Sequence, residues 1–481
     1  RWVLDGRFTA DEPSGAPVID LAGGWVIPPL ADAHTHAVAD TPDPAGEAAA
    51  FVASGILAIK NPNSTAAGVA RGRAAIAGHT LPLQARFAGS GLTSPGGHPS
   101  QIYRAHGADD GWIAVDSPAA LDREWNRLLA PQPDFLKIYL EESENHARIA
   151  ADPEYVGRRG LDPALVPAIV ARAEESGLEV SAHVRTAADF RTAVSAGVGE
   201  INHLPLEEIS PADAEACAAR GVRVVTTVLR HRPTRGVPDL AALHRRNVQR
   251  LWDAGVEIAF GTDNTQVDVI DEILAVQELG VLPADALIRA ATTSSTRACL
   301  PPGQEPATLA AGDAATFLVL EEDPLADPAA LRDLKWLFID GERHKPAPRS
   351  EEPRSFVGPL MHKTMTEGVE AAVTAYRELR GTDPGGYDFS ESQLNDLGYA
   401  LLNHGAADEA VVILRLNTAE FPHSVNAWDS LAEAQAAAGE RTGAAASSRE
   451  VLRRLEEVHD IAPGFRKQLL EAATERIRAA E

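Results

Sequence analysis

Between about residues 25 and 300 the apolar positions follow two alternating patterns: short runs rich in β-branched and aromatic residues, and longer Ala-rich stretches with helical spacing. The short runs predict eight strands: Trp25–Ile27 continuing into His34, Ile56–Lys60, Leu83–Ala88, Phe135–Leu140, Glu179–Val184, Glu200–His203, Val222–Val228 and Val256–Phe260. Helices are predicted near 45–54, 65–78, 117–130, 163–176, 187–196, 211–220, 239–254 and 268–279. Glycines stand at several of the expected stops, as at Gly177, Gly197, Gly221 and Gly255. Eight strands each followed by a helix predict an α/β chain closed into a (β/α)8 TIM barrel, with its reactive groups at the C-terminal ends of the strands.

The rhythm changes after residue 306. Ala314–Leu320 and Trp336–Ile339, with a turn at Asp340–Gly341, predict antiparallel strands over 307–345. These are expected to join residues 1–24 in a small β-sandwich subdomain beside a barrel of residues 25–306. A Pro- and Arg-rich linker is expected over 346–360, and from 361 to 481 the pattern is all-α. This part repeats at an offset of 34 residues: Leu397–Gly398 recurs as Leu431–Ala432, Gly405 as Gly439 and Ala410 as Ala444. Trp428 and Pro422 fall where an aromatic residue and a helix stop are wanted, and the period resembles the tetratricopeptide (TPR) repeat. Met361–Leu379, with Val369, Val373 and Tyr376 at helical spacing, predicts a helix before the repeats, and the segment from Val451 leads into a closing one.

Composition narrows the function. With 44% hydrophobic and 23% charged residues the chain reads as an ordinary globular protein. Asp and Glu number 69 against 44 Lys and Arg, a formal charge of -25 that repels polyanions, so no nucleic-acid partner is expected. Only Cys217 and Cys299 are present, and no apolar run is long enough for a membrane span. Neither a disulfide framework nor a membrane partner is expected, and the cysteines read as buried small hydrophobes. The expected compartment is cytoplasmic. The chain begins at Arg1, which leaves a secretory leader, and with it a secreted or periplasmic location, open.

The candidate chemistry lies at strand ends. In Asp32–Ala33–His34–Thr35–His36 the two imidazoles are two residues apart, face one side of a strand, and can share one ion. Lys137 is one of six lysines and sits in the apolar run Phe135–Leu140, where an ammonium ion is costly to bury. It reads either as a lysine snorkelling from the strand end to solvent or, functionally, as a neutral amine that has added carbon dioxide, giving a carbamate able to bridge two cations. His183 and His203 end the fifth and sixth strands and Asp263 ends the eighth. Each alone reads as well as a hydrogen-bonded core residue. Six metal-competent side chains at the strand ends of one barrel read as a metal centre.

In this order, His34-x-His36, Lys137, His183, His203 and Asp263 resemble the amidohydrolase superfamily over residues 1 to about 345. Gly96–Gly97–His98, Ala182–His183 and the stretch from Ala196–Gly197–Val198 to Asn202–His203 are similar to its prolidase-like and imidazolonepropionase-like branch. The resemblance implies two divalent ions, zinc by preference. His34, His36 and Asp263 would hold one, His183 and His203 the other, with the carbamate of Lys137 between them. It also implies hydrolysis of a C–N bond in a small amide or dipeptide-like substrate: a dipeptide, an N-acyl amino acid or a cyclic amide. Water acidified between the ions would attack the carbonyl, and Asp263 would carry its proton to the departing nitrogen.

Around this set, His98 and Tyr139 are candidate donors to the oxyanion, and Arg185 and His231 candidate partners of a substrate carboxylate. Glu141, Glu142 and Glu144 stand where relatives carry a small or Gly-rich loop, and Glu141 and Glu142 are candidates to attract a substrate amine. Two other readings stay open. One is a deaminase of the same fold, against which Lys137 argues, since mononuclear deaminases lack the bridging lysine. The other is a catalytically idle barrel serving as a scaffold, its repeats binding a protein partner or a second copy in a homo-oligomer.

Overall fold

The computed structural model describes the chain apart from residues 79–81, 106, 107, 109, 231–239, 264–267, 347–354, 383, 385, 386, 404, 458–462 and 481. It divides into two compact units, one of Arg1–Arg230 with Ala242–Arg349, the other mainly of residues from Ser350 onward.

The strands of the first unit are β1 (Trp2–Leu4), β2 (Arg7–Thr9), β3 (Trp25–Ile27), β4 (Leu30–Asp32), β5 (Ile56–Asn61), β6 (Gln84–Phe87), β7 (Gly91–Thr93) and β8 (Trp112–Ala114), then β9 (Leu136–Tyr139), β10 (Val180–His183), β11 (Glu200–Asn202), β12 (Arg223–Thr226), β13 (Ile258–Phe260), β14 (Phe317–Leu320), β15 (Leu334–Ile339) and β16 (Glu342–His344). Seven form a parallel sheet in the order β13-β12-β11-β10-β9-β7-β8, and β4-β5-β6 form a second parallel sheet. Two bonds join the sheets: Ala33 N, just after β4, donates to Phe260 O at the end of β13, and Asp134 N, just before β9, donates to Phe87 O at the end of β6, each at 2.9 Å. With helices between the strands, this is a mixed α/β fold consistent with a TIM-like barrel. Burial explains the sequence pattern. All residues of β5, β9 and β10 are buried, as expected of parallel strands covered on both faces. The helix Pro118–Leu129 buries Leu121, Trp125 and Leu128 along one face.

Three differences from the sequence pattern have local causes. Trp25–Ile27 does not enter the parallel sheet; β3 pairs antiparallel with β14. Pro28 and Pro29 lack the N–H that a central strand must donate, and they separate β3 from β4, which takes the expected place. β7 lies among Gly89, Ser90, Ser94 and Pro95, a composition that reads as loop. β8 is only three residues long.

The remaining strands of this unit are antiparallel. β1 pairs with β2, and a four-stranded sheet runs β16-β15-β14-β3. The β15–β16 turn places Asp340 at φ 49 and Gly341 at φ 83, the left-handed pair that a two-residue hairpin requires. Phe8, Phe317, Val319 and Phe338 form the core of this part.

The second unit is helical, with helices Val357–Glu367, Val369–Thr382, Glu391–Asn403, Ala407–Glu420, Val425–Ala437, Arg441–Glu457 and Pro463–Arg478. The single helix expected over 361–379 is two, broken at Gly368 with φ 91, and the first begins at Val357, inside the stretch expected as linker. The helices starting at Glu391 and Ala407 recur 34 residues on, at Val425 and Arg441. Gly398 lets two of them approach closely: a Cβ there would stand 2.5 Å from Leu414 Cδ2. Among the described residues no helix is long and apolar enough to cross a membrane.

Candidate active site

β4 ends at Asp32, and the chain beyond it carries His34 and His36. Asp32 is buried and accepts from His34 N at 3.0 Å, Thr262 N at 3.2 Å and Thr262 Oγ1 at 2.9 Å. These bonds tie the end of β4 to the loop that carries Asp263, and burial still pushes the Asp32 carboxyl up to about 7. Gly261 permits the approach, since a Cβ there would lie 2.5 Å from His34 Cβ. The Asp263 backbone is left-handed at φ 50, and its Oδ1 lies 3.0 Å from His34 Nε2 and 2.9 Å from His36 Nε2.

Burial holds the His34 ring at about 3, hence neutral, and its buried Nδ1 has no hydrogen-bond partner among the described residues. His34, His36 and Asp263 offer ligand atoms within 4.8 Å of one another. Two imidazoles turned on one carboxylate oxygen, one of them held neutral, are a donor set that fits a divalent cation.

His183 and His203 lie beside this group. Cα pairing sets Lys137, Ser181 and Glu200 on one rung of β9, β10 and β11, and Tyr139, His183 and Asn202 on the next rung along the same face. Strand alternation would turn His203 to the opposite face from Asn202. Its φ of 75 breaks the alternation, and its ring comes to 4.6 Å from that of His183 and 4.9 Å from that of His34, centroid to centroid. His203 Nδ1 lies 2.7 Å from Thr227 Oγ1. Buried Glu272 fixes that turn by accepting from Thr226 Oγ1, Val228 N and Leu229 N at 2.7, 2.7 and 3.0 Å. Lys137 is buried, its Nζ donating to Asn202 Oδ1 and lying 5.4 Å from the centroid of the Tyr139 ring.

A second group forms around a residue that the sequence reading assigned only to a substrate amine. Glu141 is buried with its Oε1 3.1 Å from His183 Nε2, and His98, Glu141 and His183 offer ligand atoms within 4.8 Å of one another. The Glu141 loop is pinned by buried Asp189. Its carboxylate accepts from Glu142 N at 3.1 Å, Ser143 N at 2.8 Å, Ser143 Oγ at 2.5 Å, Arg185 N at 3.1 Å and Thr186 N at 3.0 Å. The His98 ring lies 5.2 Å from both Tyr139 and His183, and Arg185 Nη1 is 3.8 Å from Glu141 Oε2. His231 lies outside the described residues. Asp189 had a local signal in the sequence, since Thr186-x-x-Asp189 is a capping box. The pairing of Glu141 with His183 had none, because it spans two strands.

This parallel α/β unit thus gathers imidazoles and carboxylates that could hold a metal ion at the C-terminal ends of its strands. A model of the amidohydrolase family matches residues 25–343, well over half of the chain, and the chain belongs to that family. A search of curated proteins found no match. Among solved structures the chain is similar to a Xaa-Pro dipeptidase with methionine bound in its active site, at 19% identity over 71% of this chain and 93% of that one, TM-score 0.55. It is also similar to the ochratoxinase of A. niger, at 18% identity over 68% and 85%, TM-score 0.55. A third is molinate hydrolase, at 17% identity over 73% and 91%, TM-score 0.56. At these identities the likeness establishes the fold.

Proposed function

We propose that the protein is a binuclear metal-dependent amidohydrolase cleaving an amide or peptide-like C–N bond of a small molecule. The observation that carries this reading is the convergence of His34 Nε2 and His36 Nε2 on one oxygen of Asp263, with His183 and His203 in ring contact beside them. His34, His36 and Asp263 would hold one ion and His183 and His203 a second, with Lys137 bridging them as a carbamate. Zinc suits such nitrogen and oxygen donors. A divalent ion at this site supplies Lewis acidity, lowering the pKa of water toward about 7 and polarising a carbonyl.

The rest is the work of the chain. Asp263 takes the proton of the attacking water and passes it to the departing nitrogen, without which an amide nitrogen leaves poorly. His98 and Tyr139, packed against His183, face the developing oxyanion. Arg185, beside Glu141, offers a cation to a substrate carboxylate. The similarity to a Xaa-Pro dipeptidase favours a dipeptide-like substrate among amides.

The test combines elemental analysis of protein prepared without chelator with hydrolysis of Xaa-Pro dipeptides, N-acyl amino acids and cyclic amides. About two divalent ions per chain and turnover of at least one class are expected. A chain that binds no ion and turns over none of the panel overturns the reading.

For the chain as a whole we propose a barrel from about residue 28 to 306, a β-sandwich of 1–27 with 307–345, a linker over 346–356 and tetratricopeptide-like helices over 357–481. The 34-residue recurrence of helix starts and the close approach at Gly398 support the repeats.

A further inference from the structure

Lys137 Nζ donates to Asn202 Oδ1, and the Asn202 amide is held in that sense because its Nδ2 donates to Glu200 Oε1 at 2.9 Å. Glu200 is itself fixed. Its Oε1 also accepts from Ser181 Oγ at 3.0 Å, Lys60 Nζ lies 2.9 Å from its Oε2, and Arg223 Nη1 lies 3.5 Å from the same oxygen. Lys60 Nζ donates further to Ser181 Oγ at 3.1 Å. Lys60, Ser181, Glu200 and Asn202 are all fully buried. Turning the Asn202 amide over would set an N–H against the amine and an oxygen against the Glu200 carboxylate. Burial penalises both mismatches, since each would set like against like among buried polar groups.

We propose that Asn202, oriented by Glu200, is a positioning residue for carboxylation of the Lys137 amine. The proposal rests on the reading of Lys137 as the carbamate-bearing bridge. In that step the neutral amine nitrogen attacks carbon dioxide and an N–C bond forms. One C=O electron pair moves onto oxygen, and one N–H proton passes to water, leaving a carbamate anion. The carbamate nitrogen keeps a single hydrogen. Asn202 Oδ1 is an acceptor placed to take that hydrogen, so the lone pair that attacks, and the carboxylate it acquires, are directed away from Asn202. The two cations Lys60 and Arg223 answer the charge of Glu200, so the amide is oriented without bringing an uncompensated anion to the bridge.

The test uses the full chain loaded with zinc and titrated with 13C-labelled bicarbonate, reading the carbamate carbon by NMR. Lys137→Ala assigns the resonance by removing it. Asn202→Leu, similar in size but without the acceptor, is expected to raise the bicarbonate needed for half occupancy about tenfold or more, while thermal unfolding stays cooperative. If that variant does not fold, Asn202→Ser, whose hydroxyl falls short of the amine, is expected to show the same rise. Half occupancy within about twofold of the parent protein in the folded variant overturns the positioning role while leaving the carbamate reading intact. A parent protein with no carbamate resonance overturns that reading and the proposal with it.

Discussion

Glu141 Oε1 lies 3.1 Å from His183 Nε2, both side chains buried, so that the loop after one strand grips the ring at the end of the next. A carboxylate on one ring nitrogen fixes the tautomer and orientation of the other, and removing such a partner typically lowers metal affinity about 10–100-fold. Glu141→Gln is therefore expected to weaken metal binding by that order in chelator competition. Unchanged affinity would show that the ring is held by its packing alone.

Asp263 is the meeting point of both imidazoles of His34-x-His36. Asp263→Asn keeps the shape but removes the proton acceptor, and kcat is expected to fall by about 10² to 10⁴, with a further loss where metal is lost as well. Steady-state kinetics alongside metal analysis of the same sample separates the two effects. A variant with full metal and full turnover would assign the proton to another group.

The buried pair Lys60–Glu200 makes a prediction about stability. Burial alone would raise the Glu200 carboxyl, but Lys60 and Arg223 outweigh it and bring the group down from 4.5 to about 2. A lowered carboxyl contributes stability that is fully present above its unfolded value of 4.5 and is lost as the pH falls through about 2. Lys60→Met removes the nearer of the two cations, leaving Arg223 at 3.5 Å as partial compensation, and is expected to cost up to about 3–5 kcal/mol near neutral pH. Urea unfolding of both proteins between neutral pH and pH 3 should show the deficit of the variant shrinking toward acid. A deficit independent of pH would mean that lost packing, not charge, is responsible.

In the helical unit, Gly398→Val would drive its side chain into Leu414, which already stands 2.5 Å from a Cβ at that position. Overpacking of this kind costs about 1–3 kcal/mol, so the unfolding transition of this unit is expected to move down. A variant as stable as its parent would show that the two helices can part without loss.

Much of this molecule was legible in its sequence. The strand and helix rhythm could be read because parallel strands are apolar throughout and their covering helices apolar on one side, so local composition reports local structure. His34, His36, His183, His203 and Asp263 stood out because each is a polar residue at the end of an apolar run, and Lys137 because it lies within one. Tertiary structure decided what those runs could not. Pro28 and Pro29 mark a break between Trp25–Ile27 and Leu30–Asp32, but it is pairing with β14, far along the chain, that places the first of them in the antiparallel sheet. His203 reaches the site because its backbone is left-handed, against the strand alternation that sequence reasoning relies on. The joining of Glu141 to His183, and of Lys60 through Glu200 and Asn202 to Lys137, depends on register between strands as much as 140 residues apart. A sequence pattern records which face of an element avoids water, whereas these contacts are set by how closed sheets align polar side chains that must be satisfied once buried.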